Sequence, residues 1–416
     1  MENLNNLKKQ DSQIYKAAVG ELKRQEEGIE MVASENYVSE AVLEALGTVL
    51  TNKYSEGYPG RRYYAGQEFT DMVENLAIER AKKLFGAEHV NAQPISGAPA
   101  NMAAFVSVLK PGDKVLGMDL SHGGHLTHGH PAVFASKIYK FIPYKTEKDG
   151  SIDYDKLEKL AVKEKPKMVL AGFSAYSRQL DYKRISEIAK KVGAVSMMDM
   201  AHIAGLVAGK AIPNPVPYFD IVTTTTHKTL RGPRGGMILC KKEFAAGVDK
   251  AVFPGLQGGP HMNNIAAKAV AFGEALKPAF KTYAKQVVKN TQALAKELEK
   301  FGFKIIFGKT ENHIVLVDVF SSKGVTGKEA ETALDKAGIT INKNMIPDDP
   351  RGAADPSGIR LGPPAITTRG MKEKEIKIIA KWINEVVENR SSEKVLKNIK
   401  KEVTALCKKF PIYGNL

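Results

Sequence analysis

Short apolar runs alternate with stretches of helical spacing from residue 89 to residue 240. The runs have the length and composition of strands, and they are His89–Ile95, Lys114–Met118, Ile138–Tyr144, Lys167–Phe173, Ala194–Asp199, Phe219–Thr226 and Met237–Cys240. Strands that alternate with helices form sheets whose two faces are both buried. The pattern therefore predicts an α/β domain with a mostly parallel, seven-stranded sheet.

Helical spacing dominates on either side of this region. The predicted helices before it are Ile14–Gln25, Val38–Leu50 and Thr70–Phe85, the last ending at Gly86. A long helical region, His261–Phe301, follows the sheet and leads into predicted strands at 304–307, 313–319 and 339–342 and predicted helices at 326–337, 371–390 and 392–409. We expect an N-terminal helical arm (1–50), a large α/β domain (51–280) and a small C-terminal α+β domain (281–416).

Composition agrees with a globular protein of more than one core. A chain of 416 residues with 43% hydrophobic and 26% charged residues is too long for one compact core. It contains no run of about 18 apolar residues, so we expect no membrane span. Its polar N-terminus is unlike a secretory signal, and its two cysteines, Cys240 and Cys407, cannot form a disulfide framework. These features predict a cytoplasmic protein.

The formal net charge is +15, and lysines are densest between Lys394 and Lys409. Three interpretations stay open: a solvated helix face, attraction of polyanionic small molecules, and nucleic-acid binding. The sequence has no compact basic motif with interleaved aromatic residues. We therefore favour the first interpretation and expect no nucleic-acid partner.

The strongest chemical signal is a lysine at the end of a predicted strand. Thr223–Thr226 leads through His227 to Lys228 and then into the glycine-rich segment 231–236. An amine buried there among hydroxyl groups would lose part of its proton affinity and could attack carbonyl carbons. The alternative interpretation is a strand-end lysine that points into solvent.

A second strand ends in Asp199, upstream of that lysine. Pyridoxal phosphate needs an anion at its pyridine nitrogen, so that its ring stays protonated and accepts electrons. Alternatively, Asp199 is the N-cap of a following helix. Catalytic groups of α/β proteins gather at the carboxyl ends of strands. Lys228 and Asp199 together therefore indicate a pyridoxal-phosphate site.

Four further segments carry candidate binding groups. Residues 51–66 combine four tyrosines, Glu56 and arginines, which suit a polar substrate or a packed loop. The turn 96–101 opens a helix and suits a phosphate, although plain turns look similar. Four histidines lie in 120–130, where we expect stacking on an aromatic cofactor and no metal. Arg360 suits a carboxylate or a structural salt bridge.

These motifs together resemble the serine hydroxymethyltransferase family, pyridoxal-phosphate enzymes of fold type I (aspartate-aminotransferase-like). The resemblance covers the chain from about Ile14 to the C-terminal helices. It is carried by the segments 33–37, 54–64, 122–129, 199–202, 223–228, 232–236 and 357–360. Two departures stand out: Ala98 occupies a position where the family usually has a hydroxyl, and Gly352–Ala354 replaces a bulkier segment.

The resemblance implies a role for each candidate residue. The cofactor, covalently joined to Lys228, would be held by Asp199, His202, His125, Ser174, Ser96, Gly97, His227, Tyr54, Gly258 and Gly259. Tyr54, Gly258 and Gly259 would reach the site of a neighbouring subunit, which implies a homodimer or a larger homo-oligomer with shared sites. The implied catalytic set is Lys228, Glu56, His227, Asp199 and Tyr64. The implied substrate set is Ser34, Tyr64 and Arg360 for the amino acid, and Leu120, Gly124, His125, Leu126 and Asn344 for the folate site.

The implied reaction is the reversible conversion of L-serine and tetrahydrofolate to glycine and 5,10-methylenetetrahydrofolate, a step of one-carbon and amino-acid metabolism. Two other functions remain open. One is a folate-independent aldolase of the same fold that cleaves β-hydroxy amino acids; Glu56 and the histidine-rich loop argue against this function. The other is an anion- or RNA-binding protein with an inactive site; Lys228 and Asp199 argue against that function.

Overall fold

The computed structural model of the chain describes residues 4–413. Its residues fall into two compact units. The first, here called the sheet unit, comprises 38–288 and 310–312. The second, here called the terminal unit, comprises 4–37, 289–309 and 313–413 of the described chain.

The strands of the described chain are short, and several contain only two residues. In chain order they are β1 (Ile29–Glu30), β2 (Gly57–Tyr58), β3 (Arg61–Arg62), β4 (His89–Asn91), β5 (Lys114–Met118), β6 (Lys140–Tyr144), β7 (Met168–Gly172), β8 (Val195–Asp199), β9 (Ile221–Thr225), β10 (Gly236–Cys240), β11 (Lys304–Ile305), β12 (Val315–Asp318), β13 (Ile339–Thr340), β14 (Asn342–Asn344) and β15 (Gly358–Leu361).

The α-helices of the described chain include most of those that the spacing predicts. They are α1 (Asn5–Gln10), α2 (Ser12–Glu27), α3 (Glu40–Leu46), α4 (Glu68–Phe85), α5 (Gly97–Val108), α6 (Ala135–Ile138), α7 (Tyr154–Glu164), α8 (Tyr182–Lys191), α9 (Ala204–Ala208), α10 (Ala245–Lys250), α11 (Met262–Ala275), α12 (Pro278–Lys300), α13 (Val319–Lys323), α14 (Gly327–Lys336), α15 (Pro364–Thr368), α16 (Glu373–Glu388) and α17 (Glu393–Cys407). The predicted end of α4 is confirmed, because Gly86 takes the left-handed conformation (φ +70°).

The seven predicted strands β4–β10 form one sheet in the order β4-β10-β9-β8-β7-β5-β6. Strand β10 runs antiparallel to both of its neighbours, and the other four neighbouring pairs are parallel, so the sheet is mixed. Strands β7, β9 and β10 are buried along their whole length. Helix α5 packs on this sheet through Phe105, which lies in one core cluster with Leu170 and Ile221.

The terminal unit has a four-stranded antiparallel sheet in the order β11-β12-β15-β14. Strand β1 pairs in parallel with β13, which joins residues some 310 positions apart. The buried guanidinium of Arg369 donates hydrogen bonds to the carbonyls of Gln25, Glu26 and Gly28 and to those of Cys407 and Phe410. These contacts tie the N-terminal segment to the C-terminal helices within this unit.

The two units defined by residue contacts therefore have boundaries that differ from those of the three predicted domains. Residues 4–37 belong with the terminal unit because of the β1–β13 pairing and Arg369. The ranges 1–50, 51–280 and 281–416 stay a prediction of functional domains, and residues 1–3 and 414–416 lie outside the described chain. Among residues 4–413, no helix combines the length and the apolar character needed to cross a membrane.

Candidate active site

The carboxyl ends of β8 and β9 bring the predicted amine and carboxylate to one edge of the sheet. The two strands are parallel neighbours, and Asp199 is paired in register with Thr223. Thr225 Oγ1, in the last residue of β9, donates to the carbonyl of Ala201 (3.3 Å), and Thr229 Oγ1, beyond the strand, donates to that of His202 (2.8 Å). The segments that carry Lys228 and Asp199 are thus fastened to each other.

Both predicted residues are buried, each with 8% of its surface exposed. The alternative interpretation of Lys228 as a solvent-pointing lysine is therefore wrong. The N-cap interpretation of Asp199 is also wrong, because the next helix, α9, begins at Ala204 and has Ile203 as its N-cap.

Asp199 carries an unusual set of donors for a buried carboxylate. Its Oδ2 lies 2.8 Å from Asn101 Nδ2 and 3.2 Å from His128 Nε2, and its Oδ1 accepts from the Ala201 amide at 3.0 Å. Burial by itself raises the pKa of Asp199. The hydrogen bond from His128 and the electrostatic interactions with His128, His125 and Lys228 outweigh it and hold the pKa far below its usual range. The group is an anion at any physiological pH.

Asn101 and His128 are held by further bonds, and His128 Nδ1 accepts the His125 amide at 3.2 Å. Thr127 Oγ1 lies 2.8 Å from both Asn101 Nδ2 and His125 Nδ1, and Thr223 Oγ1 donates to Asn101 Oδ1 at 2.5 Å. Ligand atoms of His125, His128 and Asp199 also lie within 4.8 Å of one another, close enough to hold a metal ion. Direct hydrogen bonding between His128 and Asp199 accounts for this proximity, and the absence of a metal stays a prediction.

The turn predicted to bind phosphate is the N-terminus of α5, with Ser96 as its N-cap. The Ser96 side chain makes no capping bond, so amides of the first turn remain available to an anion. The turn packs closely on its neighbours: a Cβ on Gly97 would lie 2.7 Å from Thr225 Cγ2, and one on Gly236 would lie 2.3 Å from the Ser96 carbonyl oxygen. The turn is therefore placed directly over β9 and β10.

His227 directly precedes Lys228 in the chain. Its Nδ1 is buried and has no hydrogen-bond partner among the described residues. Burial, together with the positive charges of Lys228 and Arg234, lowers the pKa of His227 to about 3. The imidazole is thus neutral, with a buried polar atom available for an additional partner.

Ser174 joins the loops that follow β5 and β7. Its Oγ donates to the Gly124 carbonyl and its amide donates to the Gly123 carbonyl, both at 2.8 Å. Gly123 has φ +104°, and a Cβ on Gly124 would lie 2.1 Å from the Met118 carbonyl oxygen. A side chain at either position would break this junction, which precedes His125 directly. Of the predicted folate residues here, Leu120 is half-buried and Leu126 is exposed.

The predicted Tyr54, Glu56, Gly258 and Gly259 form a second group within the sheet unit. A Cβ on Gly259 would lie 3.2 Å from the Tyr54 ring, and one on Gly258 would lie 3.4 Å from Glu56 Oε1. The Tyr64 ring meets the Tyr54 ring edge-on at 5.5 Å between centroids. The structure thus brings together residues that lie some 200 positions apart in the chain.

An ion-pair network fixes the loop around Glu56. The Arg62 guanidinium donates to Ser55 O (2.9 Å) and Gly57 O (3.0 Å), the carbonyls on either side of Glu56. It also contacts Asp71 (2.8 Å) and Glu74 (2.6 Å). Gly57 has φ +90°, and its Cβ would lie 2.5 Å from the Arg61 carbonyl oxygen, so glycine is required there.

The remaining predicted residues, Ser34, Arg360 and Asn344, belong to the terminal unit. Arg360 lies in β15, is buried, and its Nε donates to Asn342 Oδ1 at 3.0 Å. Burial lowers the pKa of Arg360 to about 10. Gly362 contacts the segment before Ser34, because its amide donates to the Met31 carbonyl at 2.8 Å. Ser34 is therefore near the end of the strand that carries Arg360.

Sequence reasoning missed several residues that support the site. Asn101 and His128 were seen only as members of motifs, and no role was assigned to them. The available signal for Asn101 was a polar residue in the otherwise apolar stretch 97–106. The Arg62–Glu74 pair gave no signal, because the two residues lie in different elements and become partners only in the folded chain.

Comparison with known proteins gives one consistent family. The family model described as "Serine hydroxymethyltransferase" matches residues 7–383. The serine hydroxymethyltransferase of Acidobacterium capsulatum is 59% identical over 409 residues, which cover 98% of this chain and 96% of that protein. The serine hydroxymethyltransferase of Koribacter versatilis is 57% identical over 408 residues, with the same two coverages.

Proposed function

We propose that this chain, which belongs to the serine hydroxymethyltransferase family, holds its pyridoxal phosphate between Lys228 and Asp199. The chain is a transferase that interconverts L-serine and glycine, with tetrahydrofolate as the acceptor of the one-carbon unit. The family places it among pyridoxal-phosphate enzymes of fold type I. Individual side chains of this chain would then carry out the separate parts of that reaction.

The observation that carries the assignment is a buried carboxylate kept ionised beside a buried lysine. When bound, pyridoxal phosphate would supply an electron sink for the substrate Cα, provided that its ring nitrogen stays protonated. Asp199 would keep the proton on that nitrogen, since its own pKa is far below its usual range. The Lys228 amine would be the covalent attachment point. These groups fit the cofactor in charge and in chemistry.

The family resemblance suggests the other cofactor contacts. The amides of the Ser96–Gly97 turn and the buried His227 Nδ1 would bind the phosphate. His125 would stack on the ring face, and Ser174 and His202 would lie near the ring hydroxyl. Because Ala98 has no hydroxyl, its contribution to the phosphate would come from its backbone amide.

The substrate groups are assigned by charge. Arg360 has the planar guanidinium that binds a carboxylate with two parallel hydrogen bonds, and Ser34 and Tyr64 would complete that site. Glu56 would handle the proton of the hydroxymethyl group. Leu120, Gly124, Leu126 and Asn344 would line the folate site.

An exposed apolar stripe supports assembly with a second copy of the chain. Helix α4 buries Glu74 and Ala77 on one side, yet Phe69, Met72 and Leu76 remain 65%, 55% and 37% exposed at helical spacing. We propose that this stripe meets a second copy, and that Tyr54, Gly258 and Gly259 contribute to its site. A double substitution, Phe69→Glu with Met72→Glu, should shift sedimentation toward the monomer, whereas an unchanged sedimentation profile would contradict this proposal.

We further propose a cytoplasmic enzyme that acts on serine, glycine and folate and has no nucleic-acid partner. The buried Cys240 and Cys407, which form no disulfide, support a reducing compartment. The charge of +15 would attract anionic folates, whose affinity should then fall with added salt.

The deciding experiment is serine-to-glycine conversion with and without tetrahydrofolate. We expect conversion to depend strongly on tetrahydrofolate. Equal rates in its presence and absence, together with rapid threonine cleavage, would favour the folate-independent aldolase. A purified protein that binds no pyridoxal phosphate would favour the anion-binding alternative.

A further inference from the structure

A buried lysine that has no assigned role lies beneath the phosphate turn. Lys268 of α11 is 1% exposed. Its Nζ donates to the carbonyls of Ala92 (2.8 Å), Pro94 (3.0 Å) and Gly236 (3.0 Å). An ammonium has three N–H donors, and here each donor has one carbonyl acceptor. This pattern indicates a specific structural task for the charged group.

The three carbonyls belong to the two segments that support the turn. Ala92 and Pro94 lie between the end of β4 and Ser96, and Gly236 is the first residue of β10. The Gly236 amide also donates to the Pro94 carbonyl at 2.9 Å. Lys268 thus joins the chain that leads into the turn to the strand on which the turn rests.

Gly235 provides the space that the lysine occupies. A Cβ on Gly235 would lie 2.5 Å from Lys268 Cε, so the two positions are sterically coupled. The Gly235 carbonyl accepts the Thr226 amide at 3.1 Å, and Thr226 lies two residues before Lys228. Asn264, one turn before Lys268 in α11, donates to the Arg234 carbonyl at 2.9 Å. Helix α11 therefore supports the turn and the end of β9 together.

We propose that Lys268 is a positioning residue for the cofactor phosphate: it fixes the backbone before Ser96, so that the first amides of α5 face the phosphate. This proposal rests on the proposed assignment of Ser96 and Gly97 to that phosphate. The positive charge beneath the turn also favours an anion there. Burial lowers the pKa of Lys268 to about 7, while the Glu74 carboxylate acts in the opposite direction and favours the charged form. The side chain is therefore held in an environment where its charge has a large energetic effect.

Pyridoxal and pyridoxal phosphate separate this role from a merely structural one, because they differ only in the phosphate. The apoenzyme of Lys268→Met should bind pyridoxal phosphate at least tenfold more weakly than the wild type, measured by absorbance titration. Its affinity for pyridoxal should stay within about twofold of the wild-type value. Lys281→Met removes an exposed lysine of α12 and should change neither affinity. Equal weakening of both ligands, or no weakening, would overturn the proposal.

Two further variants keep the test decisive. If Lys268→Met does not fold, Gly235→Ala displaces the same side chain while the charge remains, and it should also weaken pyridoxal phosphate selectively. Gly97→Ala tests the underlying phosphate assignment with the same pair of ligands, because its Cβ would lie 2.7 Å from Thr225 Cγ2 and would displace the amides of the turn. Loss of the phosphate preference in Gly97→Ala but not in the variants at 268 and 235 would refute the role of Lys268 and leave the phosphate site standing. Retained preference in Gly97→Ala would instead refute the phosphate site.

Discussion

Replacing Arg62 with methionine should separate the stability of the Glu56 loop from its function. The Arg62 side chain is 3% exposed and that of Glu74 is 1% exposed, and their closest atoms are 2.6 Å apart. Apart from Arg62, Glu74 has a hydrogen bond from Gln93 Nε2 at 2.9 Å. Arg62→Met would therefore leave a buried carboxylate with one neutral donor.

The expected cost is about 3–5 kcal/mol of unfolding free energy, the usual range when one member of a buried ion pair is removed. Burial raises the pKa of Glu74 even though Arg62 opposes the shift. A carboxyl group whose pKa is raised by folding contributes most to stability at pH values below its pKa in the unfolded chain. That contribution is lost as the pH rises through its pKa in the folded chain. The variant should therefore be closest to wild type at acidic pH.

A double-mutant cycle with Glu74→Gln isolates the cause. The amide removes the unpaired charge, so Arg62→Met with Glu74→Gln should recover about 2–3 kcal/mol relative to Arg62→Met alone. Turnover should not recover, because the Ser55 carbonyl still lacks its Arg62 donor and the Gly57 carbonyl keeps only the bond from Gln93 Nε2 (2.9 Å). Urea unfolding and steady-state turnover measure the two effects.

Two results would refute this reasoning. A double variant as unstable as Arg62→Met would show that the buried charge of Glu74 is not the main cost. Turnover that recovers together with stability would show that Arg62 supports the fold only and does not position Glu56. Lys281→Met, an exposed change in the same unit, is the control for both assays.

Three further predictions concern the site itself. Glu56→Gln should keep cofactor binding, read from its absorbance, and lose most folate-dependent turnover; near-normal turnover would remove Glu56 from proton transfer. His128→Leu removes one charge-assisted bond to Asp199, worth about 1.5–3 kcal/mol, and should weaken cofactor binding about tenfold or more in equilibrium titration, whereas unchanged affinity would contradict its role. The pKa of His227 is about 3 in the fold against 6.5 for a free imidazole, so its unfolded form binds the extra proton and apoenzyme stability should fall by up to about 1.4 kcal/mol per pH unit from pH 6.5 toward 3. His227→Gln should lack this contribution in urea titrations, and an identical slope in both proteins would refute it.

Strand ends were the most informative sequence signal. Lys228 and Asp199 both follow apolar runs, and the parallel pairing of β8 with β9 brings their segments together as expected. The predicted strand His89–Ile95 is too long, because β4 ends at Asn91. The Ala92 carbonyl bonds to Lys268, the Pro94 carbonyl is shared between Lys268 and the Gly236 amide, and Pro94 has no amide to donate.

The residues that hold the site residues in position could not be predicted in the same way. The donors to Asp199 come from α5 and from the loop after β5, and the pairing of β1 with β13 joins distant segments. Local sequence patterns indicate which residues are apolar, but they do not indicate which polar residues come into contact when helices pack on a sheet. Lys268 illustrates this, because a lysine within the apolar stretch 265–272 becomes interpretable only when its three acceptors are known.

The most direct test of the central claim is to locate the covalent attachment of the cofactor. The enzyme loaded with pyridoxal phosphate is treated with borohydride, which makes a carbonyl–amine adduct permanent, and is then digested and sequenced by mass spectrometry. We predict the pyridoxyl label on the peptide that contains Lys228, and no such label in Lys228→Ala. A label on another lysine, or an unlabelled wild-type protein with full activity, would contradict this assignment.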